Sequence, residues 1–338
     1  MNKLETVFEQ IFETLELGTI KEITYVNSSQ NLVHKVITDK KAYYVKQYSK
    51  DAIKNDKDLL KRKRQIAVTE KLSENGVPAI LPLSFNNRYF IKYKKDYYLI
   101  YDYREEQPVE DKDLTNKKIR KLATNLAIIH NLDIQSNLDC QYKKIKIDFT
   151  KYLKKFSKID ETLFNTLNNN FLDLADLIIN CNNNITKVKE HLCVSHKDYK
   201  LQNILWNKDY MYLIDFDAAA MSNPTVSFAE AAFALSRQGK QLNKDFYKDF
   251  VSSYIKKYGE IDTDFEIALN VAMNGKLQWL EYLMSKCSKK DENSNKGTIS
   301  MINELKLFID NKEEMLNIFN DLTKIKKTKK NKKKKHTK

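Results

Sequence analysis

The chain combines 338 residues with a net charge of +14, and 42% of its residues are hydrophobic, which is enough to bury two sizeable cores. Ten lysines and no acidic residue lie in residues 324–338, and the rest of the chain has 49 basic residues against 45 acidic ones. The body is therefore only mildly basic, and its charge gives no basis for a specific nucleic-acid-binding function. The lysine-rich tail is expected to be disordered, either solvated without a specific partner or in contact with nucleic acid or another anionic surface such as lipid.

The four cysteines show neither the spacing of a metal site nor that of a disulfide framework; they are Cys140, Cys181, Cys193 and Cys287. Nothing in the sequence resembles a signal peptide, and no apolar run reaches the length of a transmembrane segment. These features predict a cytoplasmic protein with free thiols and no transmembrane segment.

The first hundred residues have the pattern of a small antiparallel sheet with two helices. An amphipathic segment over residues 4–15 predicts a helix before the first strand. Residues 56–75 predict a second helix, which ends at Gly76 with Pro78 just beyond. Runs rich in Ile, Val, Thr and Tyr, bounded by polar turns, predict five strands at residues 22–27, 32–38, 42–48, 88–93 and 97–103.

The remainder of the chain is mostly helical in pattern. Apolar residues at helical spacing predict helices at residues 115–131, 160–181, 226–236, 243–258, 263–286 and 299–325. His130, near the end of the first of these helices, is expected to be a structural hydrogen-bonding residue rather than a ligand. The fold class is therefore predicted to be α+β, with the sheet in the first part and helices in the second.

Residues 196–217 have the arrangement of a catalytic loop followed by a β-hairpin. Asp198 is followed five residues later by Asn203, and then by two short strands joined by a turn at residues 207–209. Asp215 follows the apolar run of the second strand. The hairpin is expected to bring Asp198, Asn203 and Asp215 close together.

These three residues meet the needs of phosphoryl transfer from ATP to a hydroxyl. The attacking oxygen has to be oriented, and the charge of the triphosphate has to be neutralised by Mg²⁺ on oxygen ligands. Asp198 is suited to accept the hydroxyl proton, while Asn203 and Asp215 are suited to hold the metal. The alternative interpretation is a polar helix cap followed by a core hairpin.

The pattern His196-x-Asp198-x4-Asn203, followed by Ile-Asp-Phe-Asp at residues 214–217, resembles the catalytic and metal loops of aminoglycoside phosphotransferases and choline kinases. The resemblance implies a bilobal protein-kinase-like fold, with a small five-stranded antiparallel N-lobe and a mostly helical C-lobe. It divides the chain into an N-terminal nucleotide-clamping lobe at residues 1–103, a helical C-lobe at residues 104–323 and the tail at residues 324–338.

The resemblance also implies a nucleotide clamp upstream of the catalytic loop. Lys46 lies among β-forming residues of the third strand, where a buried ammonium group needs an anionic partner, and the resemblance pairs it with the ATP phosphates. The alternative is one more lysine in a lysine-rich chain. The loop after the first strand contains no glycine, so its contacts with phosphate and ordinary turn chemistry are both open. Further nucleotide contacts are expected at Ser28, Ser29 and Asn31 in this loop, and at Asp102 and Tyr103 in the hinge.

The helix at residues 56–75 departs from the family at the acid that pairs with the strand lysine. The expected glutamate position falls on Gln65, which shares the inward stripe of Leu72. An amide can hydrogen-bond Lys46 without neutralising it. Glu70 is the weaker alternative, because it is expected to face solvent.

The residues around the catalytic loop favour a small acceptor over a peptide. Lys200 is placed to neutralise the migrating phosphoryl charge. Asp-Phe-Asp replaces Asp-Phe-Gly at residues 215–217, and no Ala-Pro-Glu follows it, so the peptide platform of a protein kinase is missing. Carboxylates and aromatic rings suited to a cationic amine are found at Asp217, Glu230, Trp279, Glu281 and Tyr282, although an aromatic pair three residues apart on a helix, such as Trp279 and Tyr282, more often packs in the core.

The sequence thus predicts an ATP- and Mg²⁺-dependent O-phosphotransferase acting on a small molecule such as an aminoglycoside or a choline-like compound. The alternative is a catalytically weak or inactive binding protein of the same fold, of the spore-coat type, which Gln65 and the glycine-free loop favour. The set of Lys46, Asp198, Asn203 and Asp215 argues for an enzyme, because a scaffold does not need all four. A protein kinase is the third possibility.

Overall fold

The computed structural model describes residues 3–26, 31–140 and 142–335, with side chains at the C-terminal end described as far as Lys324. By their internal contacts the residues form two compact units, one of residues 1–108 with 205–217 and one of residues 109–204 with 218–338. The sequence instead divides the chain after residue 103 and counts residues 205–217 with the second part.

The first unit contains the predicted five-stranded sheet, and every neighbouring pair in it is antiparallel, as expected. The strand order is β1-β2-β3-β5-β4. The bounds are β1 Ile20–Val26, β2 Leu32–Thr38, β3 Ala42–Gln47, β4 Ile91–Tyr93 and β5 Asp96–Asp102.

Two helices accompany this sheet, α1 (Lys3–Thr14) and α2 (Asp56–Glu74). The apolar stripe of α1 packs Phe8 and Phe12 against one face of the sheet, in a cluster with Val36, Val45 and other buried residues. The burial of these side chains away from water is what stabilises the helix on the sheet.

The helix α2 follows the sequence signals at both of its ends. The Asn55 side chain accepts a hydrogen bond from the Asp58 N–H and so caps the first turn. Gly76 has φ +78°, a left-handed conformation that closes the C-terminus. Gln65 and Leu72 are both buried, which confirms that they share the inward stripe.

Seven short strands complete the sheet structure. They are β6 Gln107–Pro108, β7 Cys193–Ser195, β8 Ile204–Asn207, β9 Tyr210–Leu213, β10 Ala220–Ser222, β11 Arg237–Gln238 and β12 Gln241–Leu242. The strands β8 and β9 pair as the predicted hairpin, and β6 pairs with β8. The backbone of Leu213 in β9 also bonds to Pro78 and Ile80, which explains why residues 205–217 cluster with the first unit.

The second unit is mostly helical, as the sequence predicts. Its helices are α3 Asn116–Asn131, α4 Phe149–Phe156, α5 Glu161–Asn184, α6 Pro224–Ser236, α7 Lys244–Tyr258, α8 Phe265–Ala272, α9 Asn274–Lys286 and α10 Glu292–Lys335. Its core includes a stack of aromatic rings in which Phe228 lies 4.1 Å from Tyr254 and Phe265 lies 3.9 Å from Phe319, centroid to centroid.

Three helical regions differ from the sequence prediction. The single helix expected at residues 263–286 is two helices, α8 and α9, separated at Met273. The helix α4 was not predicted, because eight residues are too few to show a helical period clearly. The helix α10 includes the backbone of residues 324–335, for which disorder is expected; lysine is a good helix former and no Pro or Gly interrupts this stretch.

Among the described residues, no helix is both long enough and apolar enough to cross a membrane.

Candidate active site

The first unit contains a buried ammonium group held by two carboxylates. Lys46, in β3, is 8% exposed, and its Nζ lies 2.7 Å from Asp215 Oδ1 and 2.8 Å from Asp217 Oδ2. The side chain of Asp215 is 41% exposed, and that of Asp217 is 23% exposed. Lys46 therefore has the anionic partners that its position in the sequence demands.

The backbone on both sides of this ion pair explains how the three side chains meet. In the sheet, Lys46 pairs with Val33 of β2 and Leu99 of β5, so it lies on a central strand. Asp215 follows β9 with φ +60°, a left-handed conformation that aspartate adopts more readily than most residues. At this turn the chain changes direction, so that the acidic residues do not continue the line of β9.

Electrostatics keep Lys46 charged. Burial by itself lowers the pKa of Lys46, but attraction to Asp217 and Asp215 outweighs burial and holds the pKa well above its usual value. For Tyr48, burial and the nearby charge of Asp217 raise the pKa, so its hydroxyl keeps its proton as a hydrogen-bond donor.

Asp217 is the residue on which this cluster converges. Its carboxylate accepts hydrogen bonds from Tyr48 OH at 2.9 Å and from Asn31 Nδ2 at 3.3 Å, besides the ion pair with Lys46. Its backbone carbonyl accepts from Gln65 Nε2 and from an Arg62 guanidinium nitrogen, each at 2.6 Å. Both ends of the residue are therefore fixed by neighbouring side chains.

Two sequence expectations can be set beside these contacts, and both stay predictions. Gln65, which is expected to hydrogen-bond Lys46, has described hydrogen bonds that include one to the Asp217 carbonyl and one from Arg62. Asp217, which is predicted to contact the acceptor, contacts Lys46, which is predicted to bind the nucleotide. The alternative helix acid, Glu70, accepts from Tyr89 OH at 2.6 Å.

Sequence reasoning missed two members of this cluster, Tyr48 and Arg62. Both had a signal in their spacing. Tyr48 lies two residues after Lys46 in extended chain, so the two side chains share a face. Arg62 lies three residues before Gln65 on α2 and shares its face in the same way.

The second unit holds the predicted catalytic loop. Asn203 Nδ2 donates to the carbonyl of Asp198 at 2.9 Å and to its carboxylate at 2.7 Å, and Lys200 Nζ lies 2.9 Å from Asp198 Oδ2. The neighbouring Tyr199 is buried and donates its hydroxyl to the Leu122 carbonyl of α3. The loop thus presents one oriented carboxylate with a cation beside it. The expected convergence of Asp198 and Asn203 with Asp215 stays a prediction.

A second buried ion pair lies directly before Asp198. Lys197 Nζ contacts Glu230 Oε2 of α6 at 2.5 Å, with 7% and 15% of the two side chains exposed. Burial lowers the pKa of Lys197, but the charge of Glu230 outweighs it and leaves that pKa raised. Lys197 also has φ +61°, which no feature of its residue type could have predicted.

Two further predicted residues of the first unit, Asp102 and Tyr103, have contacts with lysines. Asp102 forms an ion pair with Lys41, and the Tyr103 ring is covered by Lys35 Nζ at 4.2 Å from its centroid. Ser28 and Ser29 lie outside the described residues.

The aromatic pair on α9 has one exposed and one partly buried member, Tyr282 and Trp279. Trp279 stacks on Tyr282 with 4.8 Å between ring centroids, and Tyr282 is 41% exposed. Glu281 and Tyr282 line a shallow pocket of the second unit together with Lys143 and Tyr152. The role of the pair stays a prediction.

The donor atoms of the predicted metal residues suit Mg²⁺. Both hydrogens of the Asn203 amide are used on Asp198, which leaves its oxygen as the atom for a metal, and Asp215 supplies a partly exposed carboxylate. Within the described part of the chain, no group of three or more His, Cys, Asp or Glu side chains could hold a metal ion. Such a sparse protein contribution is normal for Mg²⁺, which is bound largely through phosphates and water.

Comparison with known proteins identifies a family and a fold. The model of the phosphotransferase enzyme family APH matches residues 22–262. No protein with a curated description matches the sequence significantly.

Solved structures with the same fold include three small-molecule kinases. A spectinomycin phosphotransferase in complex with ADP and spectinomycin has a TM-score of 0.64 at 14% identity, covering 88% of this chain and 96% of that one. An amicoumacin kinase in complex with AMP-PNP and Ca²⁺ has a TM-score of 0.57 at 12% identity, covering 90% and 93%. The choline kinase of Cryptosporidium parvum has a TM-score of 0.53 at 15% identity, covering 94% and 99%.

Proposed function

Because the chain belongs to the phosphotransferase enzyme family whose model matches its residues 22–262, we propose that it transfers the γ-phosphoryl group of Mg²⁺-bound ATP to a hydroxyl of a small, amine-bearing molecule. The observation that carries this proposal is the buried Lys46 ammonium on the carboxylates of Asp215 and Asp217. A permanently charged lysine beside a partly exposed carboxylate suits a metal-bound triphosphate.

The residues of the chain take separate roles in the transfer. Lys46 binds phosphate oxygens, and Asn203 and Asp215 hold the metal. When bound, Mg²⁺ neutralises the charge that develops on the phosphates. The acceptor oxygen forms a bond to the γ-phosphorus as the bond to the bridging oxygen breaks, the hydroxyl proton goes to Asp198, and ADP leaves.

The lysine of the catalytic loop supports this assignment. Lys200 Nζ lies 2.9 Å from the Asp198 carboxylate, so a cation stands beside the oxygen that is to receive the proton. Such a cation stabilises negative charge on the transferring group more than on the separated reactants, which lowers the barrier.

The acceptor class rests on the neighbours and on the chemistry of the second unit. The three related structures are kinases of spectinomycin, amicoumacin and choline. Glu281 and Tyr282 line a pocket, and Trp279 stacks on Tyr282; a carboxylate and aromatic rings are groups of the kind that bind an amine through charge and cation–π contact.

A catalytically silent nucleotide-binding protein is the second candidate. It is favoured by Gln65, an uncharged residue at the position where α2 is expected to supply an acid. A cytoplasmic location and a role for the lysine-rich tail stay predictions.

The test has two steps with the purified full chain. A thermal-shift measurement with Mg²⁺-ATP, compared with ATP in EDTA, is expected to show stabilisation by the metal complex. ATP consumption is then measured with aminoglycosides, choline, ethanolamine and other amino alcohols, with a generic peptide as control. Stabilisation without consumption for any acceptor would establish the silent binder instead, and consumption with the peptide alone would establish a protein kinase.

A further inference from the structure

Resting on the proposed function, we propose that Asp217 is the counter-charge that positions Lys46 for the nucleotide, in place of an acid on α2. The helix α2 supplies no such acid at Gln65, yet the ammonium group is buried and ion-paired. The second acid of the Asp-Phe-Asp sequence makes that pair at 2.8 Å. The loop after β9 therefore supplies the negative charge that α2 does not supply at position 65.

Burial distinguishes Asp217 from Asp215. Both carboxylates contact Lys46, but the Asp217 side chain is 23% exposed and that of Asp215 is 41% exposed. Solvent screens the pair with Asp215 more, so Asp217 is the stronger electrostatic partner. Asp215 is thus left as the carboxylate better suited to a metal ion.

The side chain of Asp217 is held in one orientation by several donors. Tyr48 OH and Asn31 Nδ2 bond to the same carboxylate as Lys46. A carboxylate with three fixed donors cannot rotate without losing at least one of them, and hydrogen bonds to a charged group are the stronger kind. The position of Lys46 is fixed in turn.

The helix α2 acts on this pair through the backbone. Gln65 and Arg62 both donate to the Asp217 carbonyl, and Arg62 also donates to the Gln65 amide oxygen. An acid at position 65 would be a second acceptor facing this carbonyl, whereas an amide is a donor. Gln65 is therefore the residue that fits a counter-charge placed at position 217.

The decisive variant is Asp217→Asn, which removes the charge and keeps the shape. The rate at which acetic anhydride acetylates Lys46 is measured at one fixed pH by peptide mass spectrometry. We expect Lys46 to be acetylated about tenfold faster in the variant, because its ammonium group has lost the carboxylate at 2.8 Å. An unchanged rate at Lys46 would overturn the proposal.

Kinetics separate a counter-charge from a metal ligand. With Asp217→Asn we expect kcat/KM for ATP to fall about tenfold while the Mg²⁺ concentration for half-maximal activity stays in place. A shift in that Mg²⁺ requirement, as expected for Asp215→Asn, would show that Asp217 is a metal ligand and overturn the proposal. The matched control is Asp51→Asn, which removes one partner of an exposed ion pair with Lys54 in the same unit.

Two further variants keep the inference testable if Asp217→Asn folds poorly. Tyr48→Phe removes one donor from Asp217 without changing any charge, and is expected to raise the acetylation rate of Lys46 by a smaller factor. Gln65→Glu in the Asp217→Asn background returns a carboxylate to the cluster and is expected to lower this rate again. A double variant no different from Asp217→Asn alone would count against the proposal. The acetylation rate can be measured without enzyme activity, so it decides this inference even if no acceptor is phosphorylated.

Discussion

Lys46 in the first unit and Lys197 in the second both have largely buried side chains, and the two are paired differently. Lys46 has two carboxylates, Asp215 and Asp217, whereas Lys197 has one, Glu230. The first group carries an excess negative charge, and one of its carboxylates is partly exposed, which suits a cation from solution. The second is neutral and 7–15% exposed, which suits a structural tie. A buried ion pair is therefore a functional signal only where its charges do not cancel.

The comparison changes how Glu230 is interpreted. Glu230 was predicted to bind a cationic acceptor, but the chain's own Lys197 already holds its carboxylate. The pair ties α6 to the residue directly before Asp198. We therefore regard the pair as a support of the catalytic loop.

The largest expected effect is on Asp198, whose carboxylate the second unit orients. Asp198→Ala is expected to lower turnover by about 10²- to 10⁴-fold, because the acceptor hydroxyl loses its proton acceptor. Mg²⁺-ATP affinity, measured by calorimetry, should stay within about twofold, since the nucleotide residues are elsewhere. Asp111→Ala, at an exposed residue of the same unit, is the control. Unchanged turnover would end the assignment of Asp198.

The next largest effect is expected at Asp215, one of the two carboxylates that contact Lys46 in the first unit. Asp215→Ala is expected to weaken nucleotide binding by roughly 10- to 100-fold in Mg²⁺ and much less in EDTA, because the metal loses a ligand. Nucleotide titrations under the two conditions measure this ratio. An equal loss in both would mean that Asp215 acts through Lys46 alone.

Loss of the Lys197–Glu230 ion pair of the second unit is expected to lower the free energy of unfolding. Glu230→Gln leaves the Lys197 ammonium buried without its counter-charge and is expected to cost about 3 kcal/mol of unfolding free energy. Lys197→Met with Glu230→Gln should recover most of this loss, and urea unfolding of the four proteins gives the coupling. The exposed pair Lys296 and Glu292 is the matched control and should give at most about 1 kcal/mol. If the losses of unfolding free energy in the two single variants simply added in the double variant, the pair would not be a structural tie.

The smallest effect is expected from lowering the pH by one unit from 6.5, through His130. This residue is buried, with Nδ1 2.7 Å from Tyr254 OH, and burial lowers its pKa to about 3. Its folded pKa lies below the unfolded value, so its stabilising contribution is present above pH 6.5 and falls by about 1.4 kcal/mol per unit as the pH drops toward 3. His130→Gln should remove this part of the acid sensitivity of urea unfolding. An identical pH dependence in the variant would contradict it.

The sequence predicted the elements of the first unit well, because their signals are local. The alternation of residues in β2 and β3, and the capping residues of α2, depend on neighbours a few positions away. The need of Lys46 for an anionic partner was also predicted, because a buried ammonium group is costly without one. Which acid would pair with it could not be read, since Asp217 lies 171 residues further along the chain.

The contacts of the site that the sequence could not show have a common physical cause. The role of Gln65 depends on the Asp217 carbonyl, and backbone groups leave no trace in a residue pattern. The occupation of Glu230 depends on Lys197, whose left-handed φ is unusual for lysine. The roles assigned to Asp198, Asn203 and Asp215 stay predictions.

The most direct measurement is transfer of labelled γ-phosphate from Mg²⁺-ATP to the acceptor panel, with wild type and Asp198→Ala side by side. We expect a labelled, phosphorylated small molecule with wild type and none above background with Asp198→Ala. Absence of any labelled acceptor from a wild-type protein that binds Mg²⁺-ATP, or equal labelling by the two proteins, would contradict the account.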